Sequence, residues 1–334
     1  MLQDVIYQNY GIVMERQNVN GAYQRFFSAN VLYTIIPIQE YEEEELMERL
    51  IMAEYMQQQG DKYVSSFVMS NEQTYLSEMD DHLFILMAND VLDKPRAINM
   101  GYKLAKFHNR GRTLDVPIKA CNRIGKWKEL WENRLDYLEG IWREKMTSHP
   151  INEFEKKFVE SFPYFSIMGE NAIQYLVDCE IDDQPDGFDA GTISHDRFYD
   201  DKWLGDYLVK NPFEWVYDHH SRDIGEWVRQ HYHTYPQTYQ PTMTQFLQEY
   251  VSMQPLSSFS WRLLYSRLLF PVHYLEVIEG YYSSNSQGEK KMLEEKLEEI
   301  LNQSHRYEDF LRYFYEINQV PINALQVPKV DWLS

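Results

Sequence analysis

Short runs rich in β-branched and aromatic residues dominate the first ninety positions. GIVMERQ, AYQRFFS and NVLYTIIPI read as strands, with Asn20-Gly21 as a hairpin-type turn, so residues 1 to about 40 are expected to be extended. The acidic run from Glu40 to Glu45 opens a helix, where carboxylates suit the positive end of the helix dipole. Leu46, Leu50, Ala53 and Met56 give that helix one apolar face, and Gly60 ends it. Strand patterns resume at YVSSFVMS, TYLSEM and HLFILMA, the last two turning at Asp80-Asp81. Residues 1–90 therefore predict an antiparallel sheet with one long helix.

Over residues 91–334 the apolar period lengthens to three and four, and helices take over. Asp93 is a candidate cap for a helix with Pro95 in its first turn, with Ile98, Gly101, Leu104, Ala105 and His108 on one face and Gly111 as the stop. Ile124, Trp127, Trp131, Leu135, Leu138 and Trp142 mark a longer helix that His149-Pro150 breaks. The next helix runs from about Asn152 to Cys179 with an expected interruption at Pro163. A polar loop, DDQPDGFDAG, precedes two short β-prone runs, ISHDRFYDD and WVYDHH. Helices then follow from Asp223 to Gln230 (HYHTYP reading as a loop), from a Thr242 cap, on both sides of Pro271, and from Glu289 to Gln303.

At 334 residues and 44% hydrophobic, the chain is long enough for two lobes around a substantial core. A net charge of −20 repels nucleic acid phosphates and anionic lipid, so neither is an expected partner. Cys121 and Cys179 lack metal-ligand spacing and form no disulfide framework, which points to synthesis in a reducing compartment. No signal peptide is visible, and no apolar run approaches the roughly 20 residues of a membrane span. The 26 tyrosines belong mostly to core and rim packing, with oxidative cross-linking in an assembled shell as a minor alternative.

Candidate chemistry centres on Asp196, Asp201 and Asp218. Two loops that gather three carboxylates suit phosphoryl transfer, one orienting the acceptor and two holding magnesium; turn chemistry alone also places aspartates in loops. A small sheet with one helix, a connector, and a larger helical region carrying these loops matches an α+β, bilobal kinase-like order. A nucleotide would then lie against the connector at Met87 to Asp90, making Met87 and Asn89 candidate cofactor-binding residues. His219-His220 beside Asp218, with His231 and His233, offers a weaker metal reading without a standard zinc spacing. The doublet His195-Asp196 lacks the upstream His motif of a phosphohydrolase.

Three stretches resemble the spore coat protein S family, a branch of the aminoglycoside phosphotransferase and choline kinase-like fold. KLAKFHNRG resembles the family's helix ending in Leu-Ala-x-Phe-His, and GKWKELWENRLDYLEG its Trp-containing helix. VSMQPLSSFSWRLLYSRLLFPVHYLEVIEGYY resembles its long C-terminal signature and is the most specific of the three. The resemblance covers nearly the whole chain. It implies that the pattern His-Gly-Asp-x-x-x-x-Asn falls on Ser194-His195-Asp196 with Asp201 in the Asn position. It also implies a second metal ligand at Asp218 and a structural aspartate at Asp223.

The departures from that pattern shape the functional expectation. Ser194 stands for His, His195 for Gly and Asp201 for Asn. No lysine precedes Lys62, and VLYTIIPI, the strand expected to carry one for the phosphates, offers Tyr33, Thr34 and Ile35. Arg25 on the preceding strand is the nearest cation; Glu48 and Glu54 would then be ordinary surface acids, and no glycine-rich phosphate loop is visible. Losing one charge-assisted contact to a buried anion costs roughly 1.5–3 kcal/mol. The expectation is thus a degenerate kinase-like fold, a pseudokinase that takes no cofactor. By resemblance it would be made in the mother cell and deposited on the endospore coat, with other coat proteins as partners. The alternative is a small-molecule phosphotransferase using ATP and magnesium, with Asp196 as base and Asp201 and Asp218 as metal ligands.

Overall fold

The computed structural model describes residues 2–18, 23–38, 42–94, 99–199, 202–203, 205–328 and 330. The chain separates into two compact units: residues 1–122 with 191–223, and residues 123–190 with 224–334. Asp201, Pro95, Ile98 and the turn Asn20-Gly21 lie outside the described residues.

The first unit is built on an antiparallel sheet of β1 (Arg16–Asn18), β2 (Gln24–Ser28), β3 (Val31–Ile38), β6 (His82–Asn89) and β4 (Ser66–Phe67), in that order, with β5 (Leu76–Met79) also on β6. β5 and β6 turn at Asp80 and Asp81, both at positive φ, a backbone that suits a two-residue hairpin loop. Alternation gives the sheet two faces. On one, Phe26, Ile35, Phe84 and Leu86 pack with Ile6 of a helix, α1 (Leu2–Tyr10). On the other, Ile36, Ile38, Ile85 and Met87 pack with Leu46 of α2 (Glu43–Gln58). The expectation of strands from residue 1 is corrected at α1, where Leu2, Val5, Ile6 and Tyr10 follow helical spacing and cover the sheet.

α3 (Met100–Gly111) follows the sheet and packs on β7 (Thr192–His195), which pairs antiparallel with β8 (Trp215–Asp218). Asn99, not Asp93, precedes α3; the Asp93 carboxylate accepts hydrogen bonds from Tyr63 Oη (2.8 Å) and Lys62 Nζ (3.0 Å) instead. Gly111 ends α3 for a packing reason, since a Cβ there would sit 2.7 Å from Thr192 Oγ1 and 2.8 Å from the Ile193 amide.

The second unit is helical: α4 (Trp127–Ser148), α5 (Glu153–Asp182), most of α6 (Ser221–Thr234), α7 (Tyr239–Met253), α8 (Ser258–Leu269), α9 (Val272–Ser283) and α10 (Gln287–Ile317). Stacked rings knit it together, Phe165 on Tyr274, Phe154 on Tyr281 and Trp227 on Phe246. α5 runs unbroken through Pro163, against expectation. Proline cannot donate to the carbonyl four residues back, which is Val159, and the Trp142 indole N–H donates to that carbonyl at 3.0 Å. Two other boundaries shift: Thr242 lies inside α7, which starts after Thr238, and α6 runs on through His231 and His233. Among the described residues no helix is long and apolar enough to cross a membrane.

Candidate functional site

Asp196 follows the last residue of β7, and Asp218 ends β8. The ladder sets Thr192 opposite Asp218 and His195 opposite Trp215, so the two aspartates belong to opposite ends of the strand pair. Arg222, in the first turn of α6, joins them. One terminal guanidinium nitrogen donates to Asp218 Oδ2 at 2.8 Å, the other to Asp196 Oδ1 at 2.8 Å, and Nε donates to the His195 carbonyl at 3.0 Å. Asp218 and Arg222 are buried, whereas the Asp196 side chain is 65% exposed. Asp218 Oδ1 also accepts from the His219 amide. The sequence reading missed Arg222; Asp218 ends β8 and Arg222 lies in the first turn of α6, so no single periodicity links the two.

The next residue, Asp223, is a buried hub. Its carboxylate accepts from the His195 amide (2.8 Å), from His195 Nδ1 (2.7 Å) and from His108 Nε2 on α3 (3.1 Å). Burial alone would raise its pKa, but the two histidines hold it well below the usual carboxylate range. Burial in turn holds His108 below the usual imidazole value despite that carboxylate, so a neutral ring donates Nε2–H. His195 occupies a position where the family pattern has glycine, and rings of Phe107, Phe198, Trp203 and Trp215 surround the added imidazole.

The α2 face of the sheet is where the resemblance places nucleotide phosphates. Tyr33 and Ile35 point to the α1 face, so Thr34, buried, is the residue of that trio facing α2. Arg25 is its cross-strand partner on β2. Burial lowers the Arg25 pKa, and Asp206 and Glu214 oppose that shift. Glu48 is not a surface acid. It is buried on α2, and its carboxylate accepts the amides of Lys119 (2.7 Å), Ala120 (3.2 Å) and Cys121 (2.7 Å). Glu54 is exposed, as expected.

The segment between the two aspartate loops fills this face further. Val209 and Tyr207 pack with Phe27, Leu32 and Leu92, and the Leu208 amide donates to the Asp93 carbonyl just beyond β6 at 2.9 Å. Met87 is buried in the α2-side core. Asn89 accepts from Ser65 Oγ at 2.8 Å and donates to the Tyr63 carbonyl at 3.3 Å. The structure thus brings Asp196 and Asp218 together through Arg222, and places Met87 and Asn89 inside the sheet's own packing. His219 and His220 are buried at the start of α6, where His219 Nδ1 accepts the Ser221 amide. His231 stacks on Trp227, and His233 on Tyr307.

Chemically, the aspartate pair has its counter-ion in place. Guanidinium and magnesium compete for the same negative charge, so a metal at Asp218 would have to share its carboxylate with Arg222 or displace it. In this arrangement Arg222 already neutralises the described pair Asp196 and Asp218, while Asp201, the third candidate ligand, lies outside the described residues.

Comparison with known proteins bears on these features. A profile of the family described as "Spore coat putative kinase YutH" matches residues 3–314. The chain is 42% identical to the endospore coat-associated protein YutH of Bacillus subtilis, over 100% of this chain and 98% of that one. Among solved structures it is similar to an aminoglycoside phosphotransferase from Alicyclobacillus acidocaldarius (TM-score 0.65, 12% identity, 95% of each chain). It is also similar to the AMP-bound spectinomycin phosphotransferase (TM-score 0.62, 12% identity, 96% of this chain and 98% of that one). The α+β kinase-like fold expected from the element order is borne out, as is the resemblance to kinase-like spore coat proteins.

Proposed function

The chain belongs to the YutH family of spore coat proteins, and from that premise we propose that it serves the endospore coat as an interaction scaffold on a kinase fold that has given up phosphoryl transfer. The observation carrying this reading is the Arg222 bridge between Asp196 and Asp218. A working site needs those oxygens open to metal and acceptor. Here a fixed cation holds both, Thr34 faces the place of the phosphate-holding lysine, and Glu48 is committed to the amides of residues 119–121. The coat-associated relative, matched along its whole length, supports placement in the coat with other coat proteins as partners.

The experiment is replacement of the chain by Asp196→Asn in a spore-forming host. The Asp196 carboxylate is largely exposed, so the fold tolerates the change. Coat assembly indistinguishable from wild type is the expected result. Loss of assembly with normal protein levels would instead favour the second reading, a small-molecule phosphotransferase using ATP and magnesium. That reading draws on the same exposure, which leaves Asp196 reachable by an acceptor hydroxyl.

A further inference from the structure

Lys62, Lys94, Lys103, Lys106, Arg110 and Lys210 line one cavity of about 680 Å³ within the first unit. Phe107 and Trp203 supply apolar wall, and Asp61 and Asp93 are the acids lining it among the described residues. Six cations against two carboxylates leave a formal excess of four positive charges, in a chain whose net charge is −20. Such a local inversion of sign does not follow from solubility, which the acidic surface already provides.

The cations are held there by structure. Lys210 is buried, donates to Asp61 Oδ2 at 2.6 Å, and lies over the Trp203 ring at 4.3 Å and the Phe107 ring at 4.9 Å. Arg110 pairs with the same Asp61 at 3.0 Å. Backbone bonds fix the lysine: its amide donates to the Tyr63 carbonyl, and its carbonyl accepts the Ser65 amide. Burial lowers the Lys210 pKa, the Asp61 carboxylate opposes that shift, and the nearby Arg110 and Lys103 charges add a smaller lowering. Asp61 and Asp93 offset part of this charge, and the excess of cations over carboxylates along the walls is what a bound anion would balance.

We propose that this cavity binds a small organic polyanion, one bearing two or more phosphate or carboxylate groups on a compact scaffold. Its volume falls within the roughly 300–1,000 Å³ of small-molecule sites. Lys94 and Lys106, exposed at its rim, draw the anion in, and Phe107 and Trp203 face its less polar part. Its walls Phe107 and Trp203 also pack against His195, next to Asp196, but neither Asp196 nor Asp218 lines the cavity. Along residues 207–210 the side chains alternate, Tyr207 and Val209 packing toward Phe27 and Leu32, Leu208 and Lys210 lining the cavity. That strand of chain stands between the cavity and the Arg25 side of the sheet. The proposal is independent of whether the kinase-like site is active.

Titration calorimetry of the full chain in metal-stripped buffer free of chelators and polyanions, with inorganic pyrophosphate and citrate as probes, tests it. Saturable binding of one or both is expected, at ionic strength matched with sodium chloride. The exposed double variant Lys94→Glu/Lys106→Glu should weaken that binding at least tenfold while its unliganded melting temperature stays close to wild type. Binding of pyrophosphate alone or citrate alone assigns the anion class. Failure of both probes to bind, or equal affinity in the variant, overturns the proposal.

Discussion

Arg222 holds Asp196 and Asp218 by the two terminal nitrogens of one guanidinium, each at 2.8 Å. Two carboxylates that the sequence suggests as base and metal ligand are thereby cross-linked to the helix that follows them. The cross-link is unequal, because Asp218 is buried and the Asp196 side chain is mostly in solvent.

Arg222→Met should therefore destabilise the chain mainly by leaving Asp218 buried without its counter-ion, at a cost of about 3–5 kcal/mol. Adding Asp218→Asn to that variant should recover part of the loss, since the orphaned charge disappears. Urea denaturation of the two single variants and the double variant measures this coupling. Additive losses would mean that the pair contributes no interaction of its own.

Glu48→Gln keeps the side-chain shape but removes the charge that three amides converge on. One acceptor oxygen also becomes an NH₂ donor facing backbone amides that themselves donate. The expected loss is about 2–3 kcal/mol, from weakened charge-assisted hydrogen bonds. Amide hydrogen exchange at residues 119–121 should rise in the variant. Unchanged protection there would place the Glu48 carboxylate elsewhere.

Gly111→Ala drives a methyl group toward Thr192 Oγ1 and the Ile193 amide, on a strand whose neighbours are fixed. Overpacking of this kind costs about 1–3 kcal/mol. A melting temperature equal to wild type would show that α3 and β7 have slack.

Acid should weaken the fold before any carboxylate titrates. Burial lowers the pKa of His108, His220 and His273, and that of His233 to about 3. The unfolded chain takes up these protons near the ordinary value of about 6.5, and the folded chain resists. Stability is then full above about pH 6.5 and falls as pH drops below it, by up to about 1.4 kcal/mol per pH unit for each such histidine. Asp223 adds a further loss below about pH 4, where the unfolded carboxyl protonates and the folded one does not. Urea midpoints at pH 7.5 and pH 5.5 should differ strongly, and His233→Gln should shrink the difference. A flat profile would contradict neutral burial of these rings.

Local pattern carried the element order of both units, since strand alternation and helical stripes are properties of neighbouring residues. It placed the break at His149-Pro150 and the split at Pro271, but it read Met87 to Asp90 as the connector, whereas β6 continues through Asn89. α1 was legible too, in the spacing of Leu2, Val5, Ile6 and Tyr10, but its short length and strand-rich surroundings obscured it. Pro163 misled because the compensating donor, Trp142, sits on another helix. The site needed contacts that no window of sequence contains. Glu48 looks like any helix acid until the amides of residues 119–121 reach it, and Lys210 like any loop lysine until Asp61 and Trp203 enclose it.

The central claim is that the kinase-like site no longer takes a magnesium nucleotide, and titration calorimetry with ATP, with and without magnesium, beside an Asp218→Asn control, tests it most directly. The account predicts no magnesium-dependent binding at millimolar ATP in either protein. Binding that requires magnesium and vanishes in Asp218→Asn would contradict it, and would mean that Arg222 yields its carboxylates to the metal.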